Sequence, residues 1–149
     1  MRLSVAIGLA LNVVGAIAMA QQAADGKRSV WSGVYSKDQA ERGEKAYRAS
    51  CAWCHGARLN GSGEPGMPPS PAIARESFLR KWSGRSVAEL VEYVQKTMPV
   101  DTPDRLSAQE SADMIAYMFA VSNIPAGDKE LPSDAKALAG VVIEARPKK

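Results

Sequence analysis

Histidine is almost missing from this chain of 149 residues: there is one, at position 55. A site built from several imidazoles is therefore excluded. A structural zinc site is excluded as well, because it takes four N, S or O ligands and no second Cys or His cluster exists. Cysteine is nearly as scarce, with only Cys51 and Cys54. A disulfide between them would close a tiny loop and stabilise little through chain entropy. Charge of one sign is also lacking, since 19 Lys and Arg face 16 Asp and Glu for a net +3. Without a clustered basic stripe, that balance argues against nucleic acid as a partner. Beyond the first twenty residues no apolar run approaches spanning length, so no stable membrane insertion is expected of the mature chain. No stretch alternates as a strand does, and no internal repeat is found.

The opening is different. Arg2 is followed by residues 3–20, LSVAIGLALNVVGAIAMA, which end in the small-x-small triplet Ala18-Met19-Ala20. A short positive start, an apolar stretch and an A-x-A site before Gln21 form a secretory signal, cleaved after Ala20. The rival is an uncleaved anchor, as 18 residues just span a bilayer. Cleavage leaves 129 residues with a charge of +2, enough for one domain and too few for two.

Residues 21–35 are polar and without helical period, and read as an arm leading into a domain at 36–128. Ser36 opens a helix, with Gln39 completing a capping box and Asp38 in the first turn. Ala40, Gly43, Tyr47 and Cys51 mark one face of it. Gly43 costs about 1 kcal/mol against Ala in a helix interior, which calls for a packing reason. Residues 56–71, rich in glycine and proline, form a loop long enough to wrap something functional. A second helix begins at the Ser86–Glu89 box, carries Val87, Leu90, Val91 and Val94, and ends at Thr97 or Met98 before Pro99. A third follows the Ser107–Glu110 box. Its face is Ala108, Ala112, Ile115, Phe119 and Ser122, with Pro125 beyond its end. The tail at 129–149 stays unassigned. Three short helices bury a modest core, so a chain of this kind gains from a cofactor.

Cys51-Ala52-Trp53-Cys54-His55 supplies one. C-x-x-C-H is the attachment signature of c-type haem: two thiols three apart each add to a vinyl group, and the adjacent imidazole binds iron. A thioredoxin-like pair expects a βαβ context, whereas these cysteines follow a helix and precede a loop. With the one histidine used, the sixth iron position goes to another residue or stays open, and methionine is the expected answer, a soft thioether that raises the potential. The candidates are Met67, Met98, Met114 and Met118. The last two lie at i, i+4 on a helix, where core packing accounts for them. Met67 is close in sequence to His55. Met98 stands at a helix end beside Pro99 and is the preferred ligand.

On these residues the chain resembles a class I monohaem cytochrome c of bacteria, over about residues 30–131. The resemblance implies an all-α cytochrome c fold with three main helices around one covalent haem. It implies that the first and last helices cross, with Gly43, Tyr47 and Tyr117 at the crossing. It also implies that the Pro71 carbonyl accepts a bond from His55, that the Trp82 indole bonds a haem propionate, and that Arg85 offsets that charge. The stretch VWSGVYS at 30–36 resembles a subgroup found beside quinoprotein dehydrogenases. The expected function is a periplasmic one-electron carrier with His55 and Met98 as axial ligands. Its expected partners are redox proteins docking at the haem edge, among them a quinoprotein dehydrogenase and a terminal oxidase. The rival readings are a cytochrome subunit held tightly by a dehydrogenase, a gas-binding cytochrome with an open sixth site, and a peroxidase. The peroxidase lacks the second histidine it would need.

Overall fold

A computed structural model describes residues 26–148. The signal read at residues 1–20 lies outside the described residues. In chain order the elements are strand β1 (Arg28–Ser29), a 3-10 turn (Val30–Ser32), α1 (Lys37–Ser50), α2 (Ala52–His55), α3 (Arg75–Trp82), α4 (Val87–Thr97), α5 (Ala108–Val121), α6 (Ala135–Ala139) and strand β2 (Val141–Val142). Among the described residues no helix is long and apolar enough to cross a membrane.

Helices α1 and α5 form the central packing pair, and Gly43 is the reason they can. A Cβ at that position would overlap the Asp113 carbonyl of α5, so only glycine admits the approach. Beside it, Arg42 of α1 reaches Asp113 at 3.1 Å and Glu130 at 2.8 Å. The Tyr47 and Tyr117 rings meet across the same crossing at 5.5 Å. Helix α5 is buried almost all round, from Ser111 to Phe119 apart from Tyr117. The end of its expected face, Ala108, is exposed.

The box predicted at the start of α1 is half made. Ser36 Oγ accepts from the Gln39 N–H at 3.1 Å. The Gln39 side chain does not reach back; it is fully buried and exchanges two bonds with the Leu131 backbone, at 2.8 and 2.7 Å. Those two bonds tie residue 39 to the tail. The other two boxes, Ser86–Glu89 and Ser107–Glu110, are complete.

Helix α3 was not expected from the sequence. Its N-cap, Ala74, provides no side-chain bond. The Arg75 N–H is met instead by Ser122 Oγ at 2.8 Å, from the end of α5. A cap supplied from 47 residues away leaves no local signal.

The arm and the tail are not appendages, and 36 and 128 are not boundaries of packing. Val30, Val34 and Tyr35 are buried, as are Leu131, Leu138, Val141 and Ile143. Strand β1 pairs in parallel with β2, Arg28 opposite Val141 and Ser29 opposite Val142. Each strand is two residues long, too short for an alternation to show.

Candidate functional site

The C-x-x-C-H motif forms a single helical turn directly after α1. The Cys51 N–H closes onto the Tyr47 carbonyl at 2.8 Å, and the His55 N–H onto Cys51 at 2.9 Å. Residues three apart in such a turn share a side, so both thiols face one way. Gly56, with φ of +78°, ends the turn. The Tyr47 hydroxyl donates to the Gly56 carbonyl at 2.7 Å, fastening the motif to the helix crossing. Burial holds that phenol well above the usual tyrosine range, with smaller contributions from Cys51 and Tyr117.

His55 is buried, and its Nδ1 lies 3.0 Å from the Pro71 carbonyl oxygen. A carbonyl only accepts, so Nδ1 donates its N–H to it, and in the neutral ring that leaves the lone pair on Nε2. This is the tautomer a metal-binding imidazole needs, with its ring held by an outer partner. The loop at 56–74 folds back to bring that carbonyl into place. Leu59 is buried at its start, the Ile73 N–H bonds the Leu59 carbonyl at 3.0 Å, and the Gly61 N–H bonds the His55 carbonyl at 2.9 Å. Gly61, at φ of +80°, lies so close to Ser70, Pro71 and Ala72 that a Cβ would press into their backbone.

Cys51 and Cys54 are both free and half-buried. Each thiol has a methionine sulfur beside it: Met114 Sδ lies 3.7 Å from Cys51 Sγ, and Met67 Sδ lies 3.9 Å from Cys54 Sγ. Burial pushes the Cys51 thiol up to about 11, against a lowering by Arg105 and together with a smaller push from Cys54. Among the described residues no group of three or more His, Cys, Asp or Glu could hold a metal ion without a prosthetic group. Two free thiols on one side of a turn and one imidazole with Nε2 available are the donor set that covalent haem c requires.

The other expected residues lie apart from this turn. Met98 follows the last residue of α4 in extended conformation, half-buried, with its N–H on the Val94 carbonyl at 2.9 Å. Its sulfur has no hydrogen-bond partner among the described residues, unlike those of Met67 and Met114. Trp82 ends α3 and is buried, edge-on to Tyr93 at 5.5 Å. The Arg85 guanidinium lies 4.4 Å from the centre of the Trp82 ring and donates to Glu89 at 3.2 Å. Those two residues, at least, belong together.

Comparison with protein families matches residues 38–118 to the family described as cytochrome c oxidase, cbb3-type, subunit III. That span covers more than half of the chain and holds both the C-x-x-C-H turn and Met98. The chain belongs to this family. No curated protein and no solved structure matched it. As a member of the cbb3-type subunit III family it carries a cytochrome c domain, predominantly helical, with one covalent haem c at Cys51 and Cys54. Its work is electron transfer through that haem, with redox proteins as partners. The arm at 21–35 and the tail at 129–149 lie outside the matched span.

Several residues that shape this site gave no functional signal in the sequence. Gly61 read only as part of a turn, because its contact with Ser70–Ala72 is made across the loop. Met114 read as core, and it is 2 % exposed, yet its sulfur also backs a haem-binding thiol. Arg105, which donates to Ser50 at 2.7 Å next to Cys51, stood in a segment without any pattern.

Proposed function

We propose that this protein carries single electrons in the periplasm, with haem iron held between His55 Nε2 and the Met98 sulfur. The observation that carries the reading is the commitment of His55 Nδ1 to Pro71, which leaves Nε2 for iron. The bound haem supplies a one-electron Fe(III)/Fe(II) couple, and the chain sets its potential through axial ligand, burial and hydrogen bonding. Trp82 hydrogen-bonds a haem propionate, and Arg85 offsets its charge. Six-coordination by fixed protein ligands limits rearrangement between oxidation states and leaves no position for substrate.

The signal at residues 1–20, cleaved after Ala20, delivers the chain to the periplasm. Partners dock weakly near the haem edge, over a small area. Supporting this, two of the three exposed large apolar side chains among the described residues lie at the ligating segments: Trp53, 62 % exposed, is between the cysteines, and Val100, 79 % exposed, is two residues past Met98. A quinoprotein dehydrogenase is one proposed partner, resting on the VWSGVYS stretch alone, and a terminal oxidase is another. The family description names a subunit, which favours a second reading: the same chemistry within a stable oxidoreductase complex.

Redox titration of the purified holoprotein tests the carrier. A reversible one-electron transition is expected, with a near-infrared iron–thioether band in the oxidised form and no carbon monoxide binding when reduced. Ready binding of carbon monoxide would replace the carrier with the gas-binding reading. Co-migration of the haem with a larger assembly in periplasmic extract would favour the subunit over the free carrier.

A further inference from the structure

The tail beyond the family match runs alongside α3 and touches both of its ends. At the C-terminal end, the Gly84 N–H donates to the Ile143 carbonyl at 2.8 Å, and the Ile143 N–H donates to the Arg85 carbonyl at 2.9 Å. Ser86 also bridges to Val142. At the N-terminal end, Arg146 reaches Glu76 at 3.1 Å and the Ser122 carbonyl at 3.0 Å. Ser122 is the residue whose hydroxyl caps the Arg75 N–H. The dimensions agree. Eight helical residues are about 12 Å long, and the three steps from 143 to 146 span about 10 Å when extended. The arm holds the strap from outside: the Trp31 Nε1–H donates to the Glu144 carbonyl at 3.2 Å, and the Arg146 guanidinium lies 5.3 Å from the Trp31 ring centre.

An exposed ion pair such as Arg146–Glu76 contributes little stability by itself. What these contacts do together is fix the direction of a helix that has no side-chain cap of its own. The last residue of that helix is Trp82. We propose that residues 143–146, backed by Trp31, are a strap that positions Trp82 and Arg85 against the haem, so that arm and tail act on its potential from outside the span matched to the family. The inference rests on the reading of Trp82 as a propionate partner.

The test uses the full-length holoprotein with Arg146→Ala, Trp31→Phe and Trp82→Phe, alone and combined. Arg146 is exposed, so its variant is expected to fold with covalent haem and the near-infrared band intact. The midpoint potential and its pH profile should shift in Arg146→Ala, and in the same direction in the charge-neutral Trp31→Phe. In the Trp82→Phe background neither change should shift them further, since residues acting through one partner are non-additive. Equal shifts with and without Trp82 would mean a through-space charge effect and overturn the strap. A lower melting temperature with unmoved potential would overturn it too, leaving only packing. If Trp82→Phe itself moves neither potential nor pH profile, the propionate reading fails and takes the strap with it.

Discussion

His55 Nδ1 and the Pro71 carbonyl oxygen, sixteen residues apart, meet at 3.0 Å, and the bond rests on backbone alone. Pro71→Ala keeps that carbonyl and should change the potential little. Gly61→Ala should do more, because its Cβ would press into Ser70–Ala72 and displace the acceptor. A weakened bond lowers imidazole basicity, which favours Fe(III) less, so the potential should rise. Voltammetry of the two variants checks this; a larger shift in Pro71→Ala would refute the backbone origin.

The sixth ligand separates the four methionines. Met98→Ala should abolish the near-infrared band, lower the potential and open iron to carbon monoxide. Met67→Ala, Met114→Ala and Met118→Ala should keep the band, although the first two each remove a sulfur beside a cysteine. Met114 is core as well, and its loss should cost about 2–5 kcal/mol in denaturant unfolding. Loss of the band in Met67→Ala would move the ligand into the proline loop.

Gly43→Ala sets two effects against each other. Helix propensity favours alanine by about 1 kcal/mol. The overlap with the Asp113 carbonyl opposes it, and overpacking costs about 1–3 kcal/mol. Backbone cannot yield as a flexible side chain can, so the melting temperature should fall. A rise would mean that α1 and α5 separate easily.

Two capping carboxylates make stability depend on pH. Glu89 is held below the ordinary range first by the Ser86 backbone N–H, and Glu110 first by the Ser107 hydroxyl. A lowered native value means that the unfolded chain binds protons first. The stabilisation is therefore present above the ordinary value of about 4.3 and fades as pH falls through the native one. Melting temperature should drop from about pH 5 to about pH 3, and less steeply in Glu89→Gln with Glu110→Gln. Parallel curves would place the acid sensitivity elsewhere.

Local patterns were legible where they act locally. The boxes at Ser86 and Ser107 close within three residues, so their sequence spacing is their geometry. The C-x-x-C-H turn is likewise self-contained, which is why the cofactor could be read from five adjacent residues. Gly43 announced a close approach through its cost in a helix, and the Asp113 carbonyl accounts for it. Gln39 shows the limit: its spacing from Ser36 suits a box, but the tail offers the buried amide two partners and takes it.

By itself the sequence determined the haem attachment, the helical class and the starts of α4 and α5, because covalent spacing and capping are properties of neighbours in the chain. Tertiary structure alone decided α3, the roles of arm and tail, and the methionine beside each thiol. Each of these depends on a partner far along the chain: Ser122 for the Arg75 N–H, Val141 for Arg28, and Met114 for Cys51. Such pairings leave no local period. Burial of backbone polar groups forces them to find partners only once the chain has closed on itself.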